Sequence, residues 1–99
     1  MAILAIFSGK ITKDMYEGLR KKVDWEHKHP NGGIFHVVGF DDAGHLLVAD
    51  VWESTEAMNE FLQNRLMPAM QKLNVPPPKV EIYPAHNVNA YSTIGQYKV

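Results

Sequence analysis

An α+β fold with the element order β-α-β-β-α-β is predicted by three features of this 99-residue chain. Four short runs are rich in β-branched and apolar residues. Two longer segments carry apolar residues at helical spacing. Only a tight turn separates the second and third runs. A chain of this length builds one core with a small stability margin. Helices laid over one face of a sheet are the economical way to close it.

The first run, residues 3–8, reads as a strand and turns at Ser8-Gly9-Lys10. Thr12 follows as a helix N-cap, since its hydroxyl can accept a first-turn amide. Asp14 adds charge of the favourable sign, and Ile11 and Tyr16 can brace the helix entry. Met15, Leu19 and Val23 recur every four residues, so a helix is predicted over 13–27. The pairs Glu17–Lys21 and Asp24–Lys28 suit its exposed face. Gly18 costs about 1 kcal/mol of helix propensity, which a close packing contact would explain. His29-Pro30-Asn31-Gly32-Gly33 stops the helix.

Residues 34–40 and 45–52 read as strands two and three, joined by Asp41-Asp42-Ala43-Gly44 as an antiparallel hairpin. Alternation puts His36 with Ile34, Val38 and Phe40, and Asp50 with Leu46, Val48 and Trp52. Whether His36 and Asp50 share a side depends on register, because a one-residue slip separates them. Ser54 or Thr55 caps the second helix, whose stripe runs from Ala57 and Met58 through Phe61, Leu62 and Leu66 to Ala69, Met70 and Leu73. Pro68 predicts a kink or a fresh turn. The prolines 76–78 read as a stiff connector, and residues 79–83 as strand four. The order is that of the ferredoxin-like fold. The second sheet face is also rich in apolar residues, which predicts a homodimer packed through that face, with a higher oligomer left open. Residues 1–88 form the domain. Residues 89–99 are a C-terminal extension expected to pack on the partner.

Composition narrows the function. Ten basic and eleven acidic residues give a net charge of -1, against a nucleic-acid surface. The run Arg20-Lys21-Lys22 reads as a solvated helix face. There is no cysteine, which removes thiolate nucleophiles, disulfides and cysteine-held clusters. The apolar start is too short for a membrane span and lacks a basic leader segment. A cytoplasmic location without membrane partners is the expectation.

His36 is the strongest polar candidate. A histidine in an apolar strand can carry a proton near neutral pH, or it can be a hydrogen-bonded core or interface residue. Asp50 can orient His36 or cap a backbone amide. Trp52 offers a flat surface with one donor, for a substrate ring or for packing against the second helix. Tyr16 at the first helix, with Tyr83 and His86 at the end of strand four, can approach the same mouth as substrate-binding groups. His27 and His29, with Asp24 or His86, are too sparse a set for a metal site. No serine sits in a nucleophile elbow. No cofactor or metal is assigned.

The stretches Phe35-His36-Val37-Val38-Gly39-Phe40-Asp41 and Val48-Ala49-Asp50-Val51-Trp52-Glu53-Ser54, with Ala57-Met58-Asn59-Glu60-Phe61-Leu62 and Val80-Glu81-Ile82-Tyr83-Pro84-Ala85-His86-Asn87, resemble the dimeric α+β barrel superfamily. Within it the chain is similar to small proteins grouped with antibiotic-biosynthesis monooxygenases. Most of residues 2–88 thread through the pattern. The resemblance implies paired sheets and a pocket between sheet and helices. It also implies a cofactor-independent monooxygenase-like activity on a small aromatic or polyketide-like compound. An oxygen-independent cyclase or isomerase and a non-catalytic ligand-binding or structural dimer are the alternatives. Relatives of this kind also include haem-degrading enzymes, but neither an Asn-Trp oxygenase site nor a haem-binding residue carries over to this chain, and fold alone does not fix chemistry.

Overall fold

The computed structural model describes residues 1–99 and gives β1 (Ile3–Gly9), α1 (Lys13–Val23), β2 (Gly33–Phe40), β3 (Leu46–Trp52), α2 (Thr55–Phe61), a π-helical turn (Leu62–Leu66), α3 (Met67–Lys72), β4 (Lys79–Pro84) and a final 3₁₀ turn (Ser92–Gln96). The strands form one sheet in the order β2-β3-β1-β4 with every neighbouring pair antiparallel. This is the ferredoxin-like α+β arrangement expected from the element order. One face of β1 and β3 is buried under the helices, with Ile3, Ala5 and Phe7 opposite Trp52, Asp50 and Val48. No helix is long and apolar enough to cross a membrane.

The helix caps follow from side-chain chemistry. Thr12 Oγ1 accepts from the Met15 amide at 3.2 Å, and Ser54 Oγ from the Ala57 amide at 3.0 Å. Ile11, just before the first cap, is buried. The first helix ends at Val23, four residues short of the predicted limit, because Asp24 takes a left-handed conformation (φ 59°, ψ 45°) and donates its amide to Arg20 O. That turn also changes the ion pairs. Arg20 meets Glu17 and Glu26 at 3.1 and 2.7 Å, and Asp24 meets His27 at 2.6 Å. The predicted Glu17–Lys21 and Asp24–Lys28 pairs are therefore replaced.

Pro68 acts one turn earlier than a simple kink would. It has no amide to give to residue 64, and its ring crowds that carbonyl. The chain widens over Leu62–Leu66, where Met67 N bonds Leu62 O five residues back, and α3 restarts with proline in its first turn. Arg65 donates from Nη2 to Val23 O at 3.0 Å and lies 5.1 Å from the Phe61 ring centre. This joins the wide turn to the C-terminus of α1, where a cation suits the helix end.

Gly32 (φ 80°) links the α1–β2 loop to the second helix, and its carbonyl accepts from the Glu53 amide at 2.8 Å. A methyl group there would stand 2.6 Å from Ala57 Cβ, an impossible approach. Gly18 differs, since an added methyl would meet only Leu73 Cδ1 at 3.6 Å, an ordinary contact. Packing therefore does not require Gly18. In urea unfolding, Gly32→Ala is expected to lose about 1–3 kcal/mol through overpacking and backbone strain. Gly18→Ala is expected to gain about 0.5–1 kcal/mol through helix propensity.

Candidate functional site

Register decides the site. His36 and Asp50 are direct cross-strand partners in the β2–β3 ladder, and Ala5 of β1 stands on the other side of Asp50. Directly paired residues share a face, so His36, Asp50 and Trp52 all project toward the helices. Ala5 is fully buried. A register shift between Gly33 and Phe35 breaks the alternation at the start of β2. The predicted grouping of Ile34 with His36 is interrupted there, and Ile34 is half exposed at the cavity mouth.

Four polar groups form one hydrogen-bonded chain. Tyr16 Oη lies 3.0 Å from His36 Nε2, His36 Nδ1 lies 2.6 Å from Asp50 Oδ1, and Trp52 Nε1 donates to Asp50 Oδ2 at 3.3 Å. A carboxylate can only accept, so Nδ1 carries the hydrogen toward Asp50, and in the neutral form of the ring Nε2 is the acceptor. In that form Tyr16 Oη–H donates to Nε2. Asp50 is buried at 7% exposure with both oxygens engaged, whereas the His36 side chain keeps 37% of its surface. The carboxylate is thus held on both oxygens, and the imidazole is the more exposed member of the pair, with both of its nitrogens engaged. Burial pushes the Tyr16 phenol up to about 12, with Glu17, Glu26 and Asp50 adding to the shift and Arg20 opposing it. At neutral pH this hydroxyl is a donor.

The chain lines a cavity of about 290 Å³ walled mainly by apolar side chains, among them Ile11, Leu46, Val48, Phe61, Leu62 and Leu66. Its size suits a small molecule, just under the usual range of about 300–1,000 Å³ for ligand pockets. Trp25 closes one side, with its ring centre 5.5 Å from His36 and 5.7 Å from Tyr16. Trp52 both lines the cavity and packs on Phe61 at 5.4 Å.

The structure brings Tyr16, His36, Asp50 and Trp52 together but leaves Tyr83 and His86 outside this cavity. Tyr83 pairs with Leu4 on the opposite sheet face and donates to Glu81 Oε2 at 2.9 Å. His86 is exposed beyond the end of β4. The β-period explains the separation, since Tyr83 alternates away from the helices. No three histidine, aspartate or glutamate side chains gather in a metal-ligating arrangement. His27 is held by Asp24, while His29 bonds Glu26 O at 3.0 Å and edges the cavity. Sequence reasoning missed Trp25, because a helix running through residue 27 would have carried it onward. The only available signal was an aromatic residue two positions after the last apolar stripe position, Val23.

The sequence matches no family model and no curated protein. Solved structures share the fold. A protein from Chloroflexus aurantiacus J-10-fl, provisionally named an antibiotic biosynthesis monooxygenase, superposes with a TM-score of 0.66 at 14% identity, covering 91% of this chain and 98% of its own. A similarly named protein from Deinococcus radiodurans gives 0.57 at 21% identity over 92% and 98%. SnoaB from Streptomyces nogalater, a cofactor-independent oxygenase, gives 0.61 at 13% identity over 88% and 93%. At these identities the likeness is one of fold.

The raised Tyr16 pKa makes a measurable prediction. The folded protein holds the Tyr16 proton to higher pH than the unfolded chain does. Its stabilising contribution is complete below pH 10 and is lost as pH rises toward about 12. Phenolate absorbance should show a component titrating near about 12 that Tyr16→Phe deletes. Unfolding midpoints of this variant should fall less steeply over the same pH window.

Proposed function

We propose that the chain is a cofactor-independent, monooxygenase-like enzyme that oxidises a small phenolic compound to a quinone. The observation that carries this reading is the histidine–aspartate pair at the wall of an apolar cavity, with His36 Nε2 3.0 Å from the Tyr16 hydroxyl. The shared fold with SnoaB, named a cofactor-independent oxygenase, supports the reaction class.

In this reading His36 Nε2 removes the phenolic proton, and Asp50 holds Nδ1–H and stabilises the imidazolium that forms. The Trp52 and Trp25 faces pack the substrate ring and keep water out. The phenolate is electron-rich at the carbon para to its oxygen and transfers an electron to O₂. Recombination forms a C–O bond at that carbon. Loss of the carbon's hydrogen with cleavage of O–O then gives the quinone carbonyl and water. The substrate gives up four electrons in total, one O₂ is consumed, and one oxygen atom goes to each product. His36 returns its proton to the leaving hydroxide.

The proposed assembly is a homodimer closed sheet to sheet into an α+β barrel. Its support is the face opposite the helices, where Phe35 and Val37 of the edge strand β2 and Leu47 of β3 are exposed apolar side chains. Monomeric proteins rarely leave such a surface wet. The C-terminal extension, residues 89–99, is proposed to pack on the partner, with Tyr91 and Tyr97 available for that contact.

Two measurements test these readings. Aerobic incubation with a panel of polyphenols should consume one O₂ per quinone formed, and His36→Ala should lower the rate by about 10²–10⁴-fold. Turnover that persists without oxygen would assign the pocket to a cyclase or isomerase, and binding without turnover to a ligand-carrying dimer. In sedimentation analysis the wild type should run as a dimer and Leu47→Glu as a folded monomer. A compact wild-type monomer at high concentration would remove the barrel.

A further inference from the structure

The hydroxyl at His36 Nε2 belongs to the protein itself. Tyr16 supplies a planar phenol whose O–H lies 3.0 Å from the acceptor nitrogen, and its ring is within 14° of the imidazole plane. The same ring borders the cavity and is partly exposed. Its other ring contacts are to Trp25 at 5.7 Å and to the edge of Phe40 at 6.1 Å. Oη has no hydrogen-bond partner besides His36. A ligand hydroxyl therefore cannot reach Nε2 without taking the position of Tyr16 Oη. We propose that Tyr16 is an internal phenol occupying the substrate-hydroxyl subsite of the resting protein, and that the substrate is a planar arene whose hydroxyl displaces it from His36.

This inference rests on the reading of His36 as the acceptor in the pocket, and it adds a built-in competitor for the substrate hydroxyl. The displaced Tyr16 exchanges one hydrogen bond for another, so its competition is worth about one net hydrogen bond, and losing its hydroxyl should strengthen phenol binding. The competition also sets selectivity. An arene without a hydroxyl cannot replace Tyr16 on Nε2 and gains only from the apolar walls. The alkaline shift of Tyr16 fits this role, because an internal occupant that keeps its proton does not convert the resting site into an ion pair. A more acidic phenol in the same place yields its proton to His36.

Binding of 4-nitrophenol and of nitrobenzene to the wild type, Tyr16→Phe and His36→Gln tests the proposal. Calorimetry supplies affinities, and the phenolate absorbance of bound 4-nitrophenol reports proton transfer. Tyr16→Phe should bind 4-nitrophenol about three- to tenfold more tightly and leave nitrobenzene unchanged. A general loosening of the pocket would move both ligands together and would overturn the proposal. So would unchanged or weaker 4-nitrophenol binding in Tyr16→Phe, with the wild-type preference for the phenol still dependent on His36. Loss of that preference and of the bound phenolate signal in His36→Gln is expected. Their persistence would remove His36 as the acceptor, and with it the underlying catalytic reading. Native-like circular dichroism of each variant fixes the comparison to folded protein.

Discussion

The cross-strand pairing of His36 with Asp50 is the constraint on which the site depends. Neither side chain has meaning alone. Asp50 is a buried carboxylate that needs donors, and His36 is a ring whose Nε2 has a direction only because Nδ1 is tied down. The β2–β3 ladder delivers both to the same face, with the buried Ala5 of the neighbouring strand opposite Asp50. Trp52, two residues beyond Asp50 on the same strand face, completes the carboxylate's partners. The hydrogen-bonded chain is thus a product of sheet register as much as of residue choice.

The helices add what the sheet lacks. The capped start of α1 fixes Tyr16 in the first turn, from which it reaches across to the sheet. The left-handed residue Asp24 then breaks the helix, so Trp25 folds against His36 instead of continuing outward along α1. The result is a polar thread inside an aromatic and aliphatic box, where each donor has an acceptor and no buried side-chain polar atom is left alone. Such satisfied networks are rigid. Rigidity here means that His36 Nε2 is held in one direction.

The element order was legible because period-2 and period-3.6 patterns are strong in this chain, and because Thr12 and Ser54 announce their helices chemically. Strand limits fell within a residue of expectation. The pairing of His36 with Asp50 was open in the sequence, since a four-residue connector permits more than one register. The early end of α1 was hidden for a related reason. Aspartate tolerates the left-handed region but suits an exposed helix face as well, and the charges after Asp24 mimic a continuing helical face. Tyr83 was drawn toward the pocket by nearness in the topology, whereas alternation along β4 turns it to the other side. Patterns report faces well, but they report bends and slips poorly.

The wide turn ahead of Pro68 sets the angular phase of the whole second helical segment. Met58, Leu62, Leu66 and Met70 recur every four residues, and in an uninterrupted α-helix that spacing drifts by about 40° per step, or about 120° from first to last. Met70 would then point well away from Met58. One extra residue in a turn returns about 100°, so the four side chains stay nearly aligned, and Leu62, Leu66 and Met70 all reach the cavity wall. A proline that would ordinarily be a defect thereby lets a four-residue repeat act as a straight apolar seam. Deleting a single residue from this turn would rotate the far half of the segment while leaving its composition almost untouched.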